Sequence, residues 1–262
     1  MTSFAEALKA TRETGARILI IDIERRPMLS YHWAPKVDYI PPSMNVERGG
    51  MISFAAKWYG DKAITFRSTH HDGYDDMIAE AWRMLDEAHV VVGYNSVGFD
   101  IKHLCEEFAK SALGPPSPHK DVDLLRTARA RFRFPYNKLD EVCRDLELDM
   151  KLAHDGWDLW QRCLDGDPKA WNTMRRYNKQ DVVITEQLYD RLRPWIKGHP
   201  NLNMFRAERV SGCPHCGSVD VEENGFHYTQ TRCYKQFVCS TCGAHSRATH
   251  SEGDRTQHRR PS

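Results

Sequence analysis

The 262-residue sequence has no apolar run approaching the roughly 20 residues needed to cross a bilayer, so no membrane role is expected. It has no excess charge of either sign: 37 Lys and Arg stand against 36 Asp and Glu, for a net charge of +1. That excludes a strongly basic coat protein for nucleic acid. It leaves room for an enzyme that meets phosphates through a local patch and metal ions. The opening stretch MTSFAEALKATRETGAR lacks the apolar segment of a secretory signal. Cysteine is sparse along most of the chain, with Cys105, Cys143 and Cys163 standing singly and the other five falling between 213 and 242. Paired CxxC spacing without an export signal points to zinc rather than disulfides, and to a reducing cytoplasmic location. No internal repeat is visible. The length suits one good core plus a small extra unit.

The periodicities describe an α/β layer. Residues 3–14 read as a short helix, and ARILIIDIE (16–24) as a buried central strand ending in acid. Residues 25–50, with four prolines and a Gly49-Gly50 pair, read as a long irregular loop whose Tyr31, Trp33 and Tyr39 are candidates for a substrate groove. A hairpin is expected over 51–60 and 62–69, turning at Gly60-Asp61. A helix over 74–87 and a strand over 89–95 follow, then a loop and helix over 97–113. DVDLL is expected to open a helix running to about Phe134. Further helices are expected at 137–148, 156–166 and 167–194, the last capped by Asp167 with Pro168 in its first turn. This gives a mixed sheet of four strands flanked by helices in a domain over 1–198. A small unit over 205–249 and a polar, disordered tail over 250–262 complete the expected organisation.

Four acidic groups stand out. Asp22 and Glu24 are two apart on a strand and so share a face. Asp100 follows a strand and a loop holding Asn95 and Phe99; a helix N-cap is the bland alternative for it. Tyr177 and Asp181 are four apart on a helix and so are neighbours on one face. Like charges brought to one point repel unless cations lie between them, and oxygen ligands suit Mg²⁺ or Mn²⁺.

The trio Asp22-x-Glu24, Asn95-x-x-x-Phe99-Asp100 and Tyr177-x-x-x-Asp181 resembles the three exonuclease motifs of the DEDD superfamily, the ribonuclease H-like 3′→5′ exonucleases. GYNSVGFDIKHL in particular is similar to the second motif of family-B DNA polymerase proofreading domains. The resemblance spans residues 16–194. One branch of that superfamily places His five residues before the last Asp, where this chain has Arg176. The other places Tyr four residues before it, and Tyr177 fits that DEDDy branch. Arg25 departs from relatives that carry a small hydroxyl residue there. The resemblance implies a ribonuclease H-like mixed sheet and two Mg²⁺ or Mn²⁺ ions held by Asp22, Glu24, Asp100 and Asp181. It implies that Asp22 bridges both ions, that Glu24 and Asp181 hold the one that activates water, and that Asp100 acts through coordinated water. Tyr177 would orient the attacking water, and Asn95 and Phe99 would hold the sugar and base near the 3′ end. Asp123 and Lys179 are weaker candidates for substrate contact.

CPHCG (213–217) and CSTCG (239–243) form two CxxCG knuckles, so Cys213, Cys216, Cys239 and Cys242 suit one structural, tetrahedral Zn²⁺. The unit resembles a zinc ribbon over 210–249, too small to fold without its metal. Cys233, His215 and His245 are spare candidates. Tyr228, Arg232, Tyr234, Lys235, Phe237 and Arg247 mix rings with cations, which suits single-stranded nucleic acid; docking to a protein is the alternative.

The leading expectation is a metal-dependent 3′→5′ exonuclease acting on single-stranded 3′ ends, DNA favoured over RNA. A polymerase or another replication or repair protein is the expected partner, with proofreading supplied in trans. The alternatives are a structure-specific endonuclease or resolvase, and a non-catalytic nucleic-acid-binding protein on the same scaffold.

Overall fold

The computed structural model describes residues 4–152, 156–208 and 210–253. Contacts divide the chain into two compact units. One is drawn from Arg17–Arg129 and Arg133–Leu188, the other from the described residues of Met1–Ala16, Ala130–Phe132 and Tyr189–Ser262. The expected split is into 1–198 and 205–249; in the structure α1 (Phe4–Glu13), residues 130–132 and residues 189–198 group with the cysteine-bearing unit.

The larger unit is built on β1 (Ile18–Arg26). A short ribbon, β2 (Leu29–Ser30) and β3 (Asn45–Glu47), follows, then β4 (Gly50–Trp58) and β5 (Thr65–Ser68). Helix α2 (Tyr74–Asp86) leads to β6 (Val90–Gly93), α3 (Asp100–Lys110) and β7 (Lys120–Asp123). Then come α4 (Leu124–Arg131), α5 (Leu139–Asp145), α6 (Trp157–Leu164) and the long α7 (Pro168–Leu192). The main sheet has five strands in the order β5-β4-β1-β6-β7. β4 runs antiparallel to β1, and β6 parallel to it. It is a mixed sheet flanked by helices, as expected, with two differences. Residues 121–123, read from sequence as the start of a helix, lie in the edge strand β7, which runs parallel to β6. Residues 25–50, read as irregular, carry the β2–β3 pairing.

Strand alternation positions the site. Leu19, Ile21 and Ile23 bury themselves in a core with Phe54, Met77, Ile78, Leu85, Leu104 and Phe108. Asp22 and Glu24 therefore point to the opposite face. There Leu159, Cys163, Trp171, Met174 and Tyr177 make a second core with Ile52. Ile52 reaches that face through a bulge: Glu24 pairs with Ser53 but Arg25 with Met51, leaving Ile52 unmatched. Asp167 caps α7 as expected, its Oδ1 accepting the Lys169 N–H at 2.8 Å.

The smaller unit contains β8 (Val221–Tyr228), β9 (Cys233–Cys239) and β10 (His245–Arg247) as an antiparallel sheet in the order β10-β9-β8. Its core is Ala7, Val221, Ala244 and the four clustered cysteines. Of the expected disordered tail, Glu252 is hydrogen-bonded to Cys233, its N–H reaching the carbonyl at 2.8 Å, and 254–262 lie outside the described residues. Among the described residues no helix is long and apolar enough to cross a membrane.

Candidate active site and zinc centre

β1 delivers Asp22 and Glu24, and α7 crosses their face with Asp181. One carboxylate oxygen from each of the three lies within 4.8 Å of the others. Asp100 stands outside that triplet. It is the first residue of α3, with Phe99 in the cap position, so the N-cap reading does not describe it. Its Oδ1 instead accepts the Ile23 N–H from β1 at 3.2 Å. A tight turn aims it there. Asn95 adopts φ 63° and its carbonyl accepts the Gly98 and Phe99 N–H groups, both at 3.0 Å. Asn tolerates that left-handed conformation better than most residues. A Cβ at Gly98 would lie 2.8 Å from Asn95 Oδ1, so a larger residue there would displace the Asn95 side chain.

The electrostatics are those of a site short of positive charge. Burial raises the Asp22 pKa well above the ordinary carboxylate value, and repulsion from Asp100, Glu24 and Asp181 adds to the shift. Glu24 is pushed up to about 8 by burial and then by Asp181. Asp100 is raised to about 6 by burial, against the lowering effect of the Ile23 N–H. Packing alone does not favour buried like charges. Hard divalent cations fit this all-oxygen donor set.

Two participants escaped the sequence reading. Lys151, between α5 and α6, forms an ion pair with Asp181 and donates to the Tyr177 hydroxyl at 3.2 Å. Burial opposes its charge, but Asp181 and Tyr177 outweigh that and its pKa is raised. Lys151 also lowers the pKa values of Asp22 and Glu24, making it a built-in counter-cation. Nothing in its local sequence marks it. Asn178 donates through Nδ2 to Asp22 Oδ2 at 2.7 Å and to the Asp22 carbonyl at 3.2 Å. Its place beside Tyr177 and three residues before Asp181 was a readable signal.

Tyr177 is buried on the same face of α7 as Asp181, and burial followed by the Asp181 charge raises its pKa. Phe99 is 41% exposed and Asn95 is exposed too, both in the turn before Asp100. Asp123 is occupied as a cap: its Oδ1 accepts the N–H groups of Asn95, Leu125 and Arg126 at 3.1, 3.0 and 3.3 Å. Lys179 lies outside the carboxylate group, with Arg175 as its charged neighbour.

In the smaller unit the Sγ atoms of Cys213, Cys216, Cys239 and Cys242 all lie within 4.8 Å of one another. The Cys213–Cys242 and Cys216–Cys239 pairs are 3.6 and 3.7 Å apart. Four thiolates about 2.3 Å from a tetrahedral zinc would be separated by about 3.8 Å, so the cluster fits that ion. The knuckles are equivalent: Gly217 and Gly243 take φ 81° and 75°, and their N–H groups return to the Cys213 and Cys239 carbonyls at 2.8 Å. Cys233 lies in β9, outside the cluster. His215 Nδ1 is 2.9 Å from the Arg193 carbonyl, and His245 Nδ1 is 3.3 Å from Gln236 Nε2, so neither belongs to the sulfur set. Of the ring-and-cation residues, Tyr228 is 71% exposed, and the Arg247 guanidinium lies 4.2 Å from the Tyr234 ring centroid.

A mixed sheet whose central strand presents two carboxylates to a helix bearing a third is the arrangement of a ribonuclease H-like fold. The comparisons agree. The family model described as RNase_H superfamily matches residues 46–193, more than half of the chain. The chain belongs to the RNase H superfamily, whose fold is that of nucleases. The match takes in Asp100, Tyr177 and Asp181 and begins after Asp22 and Glu24. The chain is also similar to the family B DNA polymerase from the hyperthermophilic archaeon Pyrobaculum calidifontis, at 20% identity and a TM-score of 0.52. That likeness covers 68% of this chain and 25% of the polymerase, and at such identity it is a likeness of fold. No curated protein matches the chain.

Proposed function

We propose that this protein is a metal-dependent 3′→5′ exonuclease of the DEDDy type, carrying a zinc ribbon. The observation that carries the reading is the convergence of Asp22, Glu24 and Asp181, with raised pKa values on the two β1 acids, beside a tyrosine hydroxyl. Asp22, Glu24 and Asp181 would hold the cations directly, and Asp100 would help from its anchored position beside β1. When bound, two Mg²⁺ or Mn²⁺ ions supply positive charge at the scissile phosphate and lower the pKa of water. Asn178 fixes the Asp22 carboxylate, and Lys151 fixes the Tyr177 hydroxyl, which orients the attacking water. Water adds to phosphorus, the bond to the 3′ oxygen of the preceding nucleotide breaks, and a nucleoside 5′-monophosphate leaves. Asn95 and Phe99 would hold the terminal sugar and base. DNA is the favoured substrate, and the ribbon would bind nucleic acid or a polymerase or repair partner.

The test is cleavage of 5′-labelled linear DNA and RNA beside circular DNA, with Mg²⁺ or Mn²⁺. The reading expects products shortened stepwise from the 3′ end, intact circles, and no products with Asp22→Asn or Asp181→Asn. Cut circles would identify an endonuclease. Binding without cleavage of any substrate would leave a non-catalytic scaffold.

A further inference from the structure

The chemistry above makes no use of the segment between β1 and β4, and the family match begins only at residue 46. Yet both ends of this segment open onto one cavity of about 780 Å³. Arg26 and Met28 line it from the outgoing chain, Arg48 from the returning chain, and Phe99, Trp157 and Trp160 from the other side. The cavity adjoins the carboxylates. Trp160 Nε1 donates to the Arg25 carbonyl at 3.2 Å, one residue from Glu24, and its ring meets that of Tyr177 edge-on at 6.1 Å.

From the cavity rim, β2 and β3 pair, and the Tyr31 N–H closes onto the Met44 carbonyl at 2.9 Å. The chain beyond holds Tyr31, Trp33 and Tyr39 at 75%, 95% and 73% exposure. Single exposed apolar residues are ordinary, but three large rings in one short segment mark a contact surface. The charge of that surface selects the partner. Residues 25–50 carry Arg25, Arg26, Lys36 and Arg48 against Asp38 and Glu47. Arg25 faces Glu106, which also lines the cavity, and Arg26 pairs with Glu47, which leaves Lys36 and Arg48 as the cations of this segment without an ion pair among the described residues. Arg48, on the cavity, has no carboxylate partner among the described residues. Exposed rings interleaved with cations match unpaired nucleotides, whose bases stack while their phosphates track positive charge. A duplex hides its base faces.

We infer that the cavity and the 28–48 hairpin form a stacking platform for several unpaired nucleotides, so that the enzyme acts on a single strand or a 3′ overhang and discriminates against a blunt duplex. The inference rests on the nuclease reading and adds the platform that selects the strand.

The test is fluorescence anisotropy of the full-length Asp22→Asn protein without added divalent metal, against labelled single-stranded, 3′-overhang and blunt duplex DNA. Single-stranded and overhang DNA should bind about tenfold more tightly than blunt duplex, and Trp33→Ala or Trp157→Ala should each cost about tenfold. Arg48→Ala should weaken binding and reduce the slope of log affinity against log salt by about 0.7. Trp33 is almost wholly exposed, so its variant should fold as the parent does. Equal binding of blunt duplex, or variants within about twofold of the parent, would overturn the platform even if the wild type shortens strands. Strand binding that depends on Trp33, in a protein whose wild type cleaves nothing, would support the platform and sink the exonuclease reading. Capture of a protein through Trp33, with strand binding unchanged, would also overturn it.

Discussion

Replacing Glu24 with Gln should make the metal-free protein more stable in mild alkali and abolish much of its response to Mn²⁺. The unfolded chain releases this proton near its ordinary value of 4.5, whereas the folded protein holds it until about 8. A raised carboxylate pKa means that folding loses free energy as pH climbs through this window, and that the whole penalty is present above it. At about 1.4 kcal/mol per pKa unit the shift corresponds to about 5 kcal/mol. Glu24 is only half-buried, and water at its carboxylate screens the interaction, leaving about 1–3 kcal/mol. Glutamine keeps the shape and removes the charge. Urea denaturation should therefore give nearly equal stabilities below the window, and a Glu24→Gln advantage of about 1–3 kcal/mol above it. Mn²⁺ at about 100 times its dissociation constant should return about 2.7 kcal/mol to the wild type and clearly less to the variant. A variant no more stable than wild type in alkali, yet equally stabilised by Mn²⁺, would refute the reasoning.

Lys151→Met removes the cation that holds down Asp22 and Glu24. The acid limb of its pH–rate profile should move to higher pH, and an unmoved limb would deny Lys151 that role. Tyr177→Phe keeps the ring in its core with Trp171 and Met174 but loses the hydroxyl. Cleavage should fall about 100-fold, from a misplaced water, with Mn²⁺ affinity unchanged by calorimetry. Cys216→Ser, or a zinc-selective chelator, should remove amide-exchange protection over residues 213–244, because metal binding supplies the folding free energy of so small a unit. Protection that survives zinc removal would refute the ribbon reading.

The elements with strong periodicity were legible. Continuous β-branched residues ending in Asp22-x-Glu24 marked β1, and Asp167-Pro168 marked the start of α7. β7 was not: Lys-Asp-Val-Asp is polar because half of this edge strand faces solvent, so only its parallel pairing with β6 makes it a strand. The β2–β3 ribbon was hidden by the prolines around it. Within the site, residues fixed by strand or helix spacing could be read, since two apart on β1 and four apart on α7 each define one face. Lys151 could not, because its meeting with Asp181 depends on how a loop 30 residues away is laid across α7. Ile52 was equally hidden, since its turn toward Tyr177 comes from a bulge that pairing, not local sequence, creates.

The most direct test of the central claim is to locate manganese by anomalous diffraction from crystals grown with Mn²⁺. The account predicts a peak at about 2.0–2.2 Å from oxygens of Asp22, Glu24 and Asp181, with the Lys151 ammonium displaced from Asp181. An empty carboxylate triplet at saturating Mn²⁺, with the Lys151–Asp181 pair intact, would contradict it.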